Sequence, residues 1–207
     1  MSAAATTGGA PGTARRMWRA LETLHMTVYF NPEPRDAYRR AGLRGGWMGY
    51  FASRAAAMGP VPAEVVMATF YNFHPRMVRR AIPDAWHLAS PSALLDARIT
   101  SMDGALRRVL GDDVVQSDAV ARAATIASAA VARCDMTGRA LAAANQAVPE
   151  PDEPHLRLWQ ALTAIREHRG DGHVHALVDA GVAPAHALVL QAATGRSPEE
   201  GLRANRG

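Results

Sequence analysis

Proline and glycine punctuation constrains this chain more than any other feature of it. Breaks fall at Asn31-Pro32, Gly42 to Gly46, Gly59-Pro60, His74-Pro75, Ser90-Pro91, Gly111 to Asp113, Pro149 to Pro154, Gly170 to Gly172 and Gly181 to Pro184. Between them apolar residues recur at three- and four-residue spacing, the period of a helix with one buried face, and no alternating strand pattern competes. Such spacing predicts helices of about 8 to 18 residues joined by short loops. The fold class is therefore all-α: a compact antiparallel bundle of about 8–10 helices, with no sheet and no internal repeat.

At 207 residues the chain is long enough to bury a sizeable core. Residues 1–13 are small, polar and glycine-rich and read as a disordered tail; residues 14–207 read as a single helical domain. No run approaches the ~18 apolar residues that cross a bilayer, and no apolar stretch follows Arg15 and Arg16 as a secretory signal requires. One cysteine, Cys134, fits a reducing cytoplasm and reads as a small buried apolar residue. All 23 basic residues are arginine, which excludes Schiff-base chemistry and a phosphate-loop lysine. The net charge of +4 is modest, so nucleic acid is not an expected partner of this chain alone. A small-molecule ligand is, and a homodimer stays open.

Three stretches carry the candidate site residues. The first is the helix from about Ala14 to Phe30, with Met17, Leu21, Leu24 and Val28 as its core stripe and Trp18, Glu22, His25 and Tyr29 on a half-buried polar flank. Glu22 and His25 also make a Glu-x-x-His pair, the spacing of di-metal carboxylate bundles, but such a site needs a second pair and the chain has none. A hydrogen bond between the two is the simpler expectation. The second stretch runs from Glu64 to Arg80. There Asn72 and His74 sit at a helix junction among Phe70, Tyr71 and Phe73, either as caps or as the polar edge of a ligand pocket.

The third stretch, Pro149 to His175, contains a helix from about Pro154 to Arg169. Its phase turns His155, Trp159, Arg166 and Arg169 inward with Leu158, Leu162 and Ile165, and turns Arg157, Gln160 and Glu167 outward. Buried arginines need partners, either protein carboxylates such as Asp171 or Glu153, or an anionic ligand. After a turn at Gly170-Asp171-Gly172, Asp171 is expected to cap the next helix and His173 to sit in its first turn. His25, His74, His155 and His173 lie on different helices and are the candidates for any metal ion; neither a metal nor haem is favoured.

Leu21-Glu22-Thr23-Leu24-His25, Thr69 to Pro75, Pro151 to His155 and Arg166 to His173 together resemble a large actinobacterial family of helical-domain proteins commonly described as helix-turn-helix proteins or regulators. In that family the helical region usually leads into a C-terminal winged helix, and Arg206-Gly207 falls where that segment would begin. The resemblance therefore implies a regulatory helical domain without its DNA-reading element. Two functions are expected from the residues and the resemblance together. One is a ligand-sensing module with an aromatic, apolar pocket and a His/Arg polar end. The alternative is an enzyme of specialised metabolism that uses the pocket histidines as acid, base or metal or haem ligands.

Overall fold

A computed structural model describes residues 11–71, 73–183 and 186. The regular elements among them are all helices: α1 (Pro11–Tyr29), α2 (Pro32–Arg40), α3 (Gly46–Ala55), α4 (Ala63–Thr69), α5 (Pro75–Ala81), α6 (Asp84–Leu88), α7 (Pro91–Leu110), α8 (Asp112–Val115), α9 (Asp118–Ala132), α10 (Ala140–Gln146) and α11 (Pro154–Asp179). A 3-10 turn at Ala56–Met58 extends α3. No helix among the described residues is long and apolar enough to cross a membrane.

Local chemistry sets most of these boundaries. Proline occupies the first turn of α2, α5, α7 and α11, where its missing N–H costs no hydrogen bond. Ser90 caps α7 by accepting from the Ala93 N–H at 3.2 Å, and Ser117 caps α9 by accepting from Val120 at 3.3 Å. Glu153 precedes α11, and its side chain makes no capping bond. Pro83, not among the expected breaks, separates α5 from α6. The C-terminal segment at Arg206-Gly207 lies outside the described residues.

The main core gathers Val28, Phe51, Val66, Phe70, Val78, Ile82, Leu94, Met102 and Leu141 from α1, α3, α4, α5, α7 and α10. A second cluster packs Ala127 and Val131 of α9 against Ala161 and Ala164 of α11, small residues that let the two helices approach closely. α11 therefore meets other helices on more than one side.

That position explains the largest departure from the expected architecture. No turn forms at Gly170-Asp171-Gly172, and α11 runs straight through to Asp179. Three side chains beyond Ile165 are committed to the α9–α10 connection and the start of α10. His168 donates to the carbonyl of Asp135 and His175 to that of Gly138, each at 2.9 Å. Between them Asp171 accepts from the backbone N–H of Ala142 at 3.0 Å, so it caps α10 and not a helix of its own. Positions 168, 171 and 175 share one face only if the helix is unbroken. Three smaller corrections follow. α1 starts at Pro11 instead of Ala14; Met17, expected in the core, is 52% exposed; and Cys134 is only half buried, its thiol donating to the Ala130 carbonyl at 3.4 Å.

Candidate functional site

α1 and α11 meet along the polar flank read from the sequence, and what forms there is a chain of ionic groups. Glu22 of α1 pairs with Arg166 of α11, Oε1 to Nε at 3.0 Å. Arg166 donates on to Glu167 at 3.3 Å, and Glu167 takes both arms of Arg54 from α3, Nε to Oε1 at 2.9 Å and Nη2 to Oε2 at 2.6 Å. Arg54 also donates from Nη1 to the Tyr50 hydroxyl at 3.0 Å, and that hydroxyl lies 3.4 Å from His25 Nε2. The Arg54 guanidinium stacks 4.0 Å from the centre of the Phe70 ring. Two carboxylates and two guanidiniums balance in charge, and both ions of the central pair have fully desolvated, bidentate geometry.

The electrostatics follow from this geometry. Burial works against the Glu167 carboxylate, but attraction from Arg54 and Arg166 outweighs it and holds its pKa below the ordinary value. Burial likewise works against the Arg54 cation, and Glu167 and Tyr50 outweigh it in the opposite sense. His25 has no such compensation. It is 2% exposed, and burial together with Arg166, Arg54 and Arg98 drives its pKa far down, so the imidazole is neutral at any physiological pH.

The structure brings together several of the residues singled out in the sequence. His25, Tyr29 and Trp159 stack on one another, with the His25 ring 4.4 Å from that of Tyr29 and 6.1 Å from that of Trp159. Arg169 lies 4.3 Å over Trp18, and His173 stands exposed in mid-helix beyond them, correcting its expected place in a first turn. The rest are elsewhere. His74 is exposed at the start of α5, where Nδ1 accepts from the Arg76 N–H at 3.1 Å; Asn72 lies outside the described residues. His155 is buried as its phase implied, but it bonds Asp103 of α7 at 2.7 Å. Burial raises the Asp103 carboxyl, and the bonds from His155 and Arg107 more than reverse that. The four histidines do not converge, and no group of three or more His, Cys, Asp or Glu among the described residues could hold a metal ion.

The α1/α11 seam is not a pocket. The space bounded by Leu21, His25, Trp159, Leu162 and Arg166 is about 10 Å³, room for roughly one water. Gln160 and Glu167, expected to face solvent, are buried at 6% and 1% exposure. Gln160 serves the buried Arg98 of α7, which donates to Gln160 Oε1 at 3.4 Å and Asn145 Oδ1 at 3.0 Å. Arg54 and Arg98 were not read as site residues at all. Arg54 had a usable signal, being the one charged residue in the otherwise uncharged run from Gly45 to Pro62.

A concavity of real size opens on the other side of Tyr29 and Tyr50. Between α1, α2 and α3 lies a groove of about 420 Å³, walled by Tyr29, Phe30, Tyr38, Trp47 and Tyr50, with Arg35 and Arg39 among its remaining residues. Phe30 stacks on Tyr50 at 5.5 Å, and Phe30 and Trp47 are each 47% exposed, unusual for side chains of this size. Tyr29 is almost wholly buried, yet its hydroxyl has no hydrogen-bond partner among the described residues. Gly49 sets the width of the groove. A Cβ there would come within 2.8 Å of Tyr38, so a glycine lets α3 seat against that ring. Chemically the groove offers aromatic faces and guanidinium groups, the makings of a binding site, with no acid–base pair among them.

A model of the helix-turn-helix family matches residues 14–207. No curated protein and no solved structure matches the chain.

Proposed function

The chain belongs to the helix-turn-helix family whose model it matches over residues 14–207, and from that premise we propose that it is a ligand-sensing helical domain of a regulator. Its small-molecule site is the aromatic groove between α1, α2 and α3. The observation that carries this reading is the groove's combination of size and lining. About 420 Å³ falls within the ~300–1,000 Å³ that small-molecule sites span, and such sites pair an apolar, aromatic lining with a few fixed polar groups. Arg35, in the groove's lining, supplies one such group. A single cysteine and no membrane-crossing helix among the described residues agree with a cytoplasmic setting.

The enzyme alternative gains less support. His25 does have a polar partner in Tyr50, but the space beside it is far too small for a substrate, and its imidazole is held neutral by burial. His155 is engaged with Asp103 in the packing of α7 against α11.

Titration with the neutral fluorophore N-phenyl-1-naphthylamine tests the proposal. Saturable binding near one equivalent is expected, and Trp47→Ala should weaken it about fivefold, since the stacking energy of such a ring is about 1 kcal/mol. Unsaturable binding, or an affinity indifferent to Trp47→Ala, would contradict it.

A further inference from the structure

We propose that the groove between α1, α2 and α3 takes the acidic proline loop at residues 149–154 of a second copy of this chain, so that the protein associates with itself and a small molecule in the groove competes with that association. The inference rests on the groove being a binding surface, and it adds a partner and a consequence of ligand binding.

The loop reads Pro149-Glu150-Pro151-Asp152-Glu153-Pro154 and leads from α10 into α11. Three prolines in six residues hold it to a narrow set of backbone angles, so it has little freedom left to lose on docking. Pro149, Glu150, Asp152 and Glu153 are exposed, and the three carboxylates have no ion-pair or hydrogen-bond partner among the described residues. Both ends of the loop are fixed, since Val148 and His155 are buried and His155 bonds Asp103. None of the loop residues lines the groove of its own molecule. The occupant therefore comes from a second copy.

Groove and loop match in surface chemistry and in sign. Aromatic side chains set along a groove are the surface on which proline-rich segments pack. Phe30 and Trp47 meet edge to face at 5.8 Å, with Tyr50 stacked against Phe30, and each leaves nearly half of itself to solvent. Arg35 and Arg39 line this groove, and Arg44 and Arg80 line the further concavity that shares Trp47 with it. Among the described residues no carboxylate lines either space, whereas the loop carries three carboxylates and no cation. Because groove and loop are different patches, two copies either exchange loops reciprocally and close as a dimer or continue head to tail. A small molecule that fills the groove displaces the loop and shifts the protein toward monomer.

Sedimentation velocity of the full chain over a concentration series tests this, with N-phenyl-1-naphthylamine as the competing small molecule. The average mass should rise with protein concentration, and it should fall with added NaCl or with saturating probe. Glu150→Lys/Asp152→Lys, on exposed side chains outside any helix, should weaken association about tenfold and leave the probe's affinity unchanged. Trp47→Ala should weaken association about fivefold. One of these variants keeps the groove and the other keeps the loop, so a mixture of the two should associate more strongly than either does alone. A parent chain that is monomeric throughout, a loop variant that associates as the parent does, or a mixture with no gain would overturn the inference, while Trp47-dependent probe binding leaves the groove standing. Probe binding that ignores Trp47→Ala would overturn both.

Discussion

Glu167 and His25 sit three side chains apart in one buried network, yet they respond to acid from different starting points. Each has a folded-state pKa below its value in the unfolded chain, so in both cases the unfolded chain takes up the proton first and stability is lost as pH falls. For His25 the loss begins at the unfolded value of 6.5, and for Glu167 only near 4.5. Between those values His25 dominates, with a smaller contribution from His173, also depressed by burial and by Arg169. Urea unfolding at a series of pH values should show stability falling by about 1.4 kcal/mol per unit from this one imidazole below pH ~6.5. In His25→Gln the slope over that window should flatten by the same amount; an unchanged slope would mean that His25 is protonated or solvated in the folded chain. The inward direction of His25, Trp159 and Arg166 was legible from helical phase, because α1 has one buried side and α11 shares it. Glu167 was not, although it is the more buried ion. Phase assigns one outer face to a helix, and α11 has neighbours where that face was drawn.

At the scale of elements, proline and serine did most of the specifying, and glycine misled once. Breaks at Pro32, Pro75, Pro91 and Pro154 all appear, since a proline in a first turn acts locally whatever the tertiary context. Gly170 and Gly172 looked like a turn because glycine is a poor helix former, but in α11 tertiary bonds from His168, Asp171 and His175 override that preference. The two glycines are not equivalent. A Cβ at Gly170 would touch only Glu167 Oε2, at 3.8 Å, an ordinary contact, whereas one at Gly172 would come within 2.7 Å of the Arg139 guanidinium, which donates to the His168 carbonyl. Gly170→Ala should therefore stabilise the protein by about 0.5–1 kcal/mol, the usual gain inside a helix. Gly172→Ala should gain nothing, since it displaces Arg139. Thermal or urea unfolding checks both, and destabilisation by both alanines would restore the turn.

For the whole molecule, the all-α class was readable from spacing alone, but the location of open space was not. Of the residues expected at a ligand site only Tyr29, among the described residues, lines the main groove; Trp18, Glu22, His25, Trp159, Arg166 and Arg169 build the seam between α1 and α11, where large side chains fill the space they were expected to enclose. Polarity on a buried helix face signals that charges must be satisfied, and a protein can satisfy them with its own groups as well as with a ligand's. The groove arises instead where α2 and α3 diverge behind a glycine-rich loop, with aromatic side chains contributed by α1, α2 and α3 that no single helical pattern connects. The proposed ligand site is that groove and not the polar seam. Hydrogen–deuterium exchange with and without saturating 8-anilinonaphthalene-1-sulfonate tests it most directly. Protection should rise in peptides covering residues 29–50, with little change in those covering residues 155–169; protection concentrated at 18–25 and 159–169 would place the ligand in the seam and contradict the account.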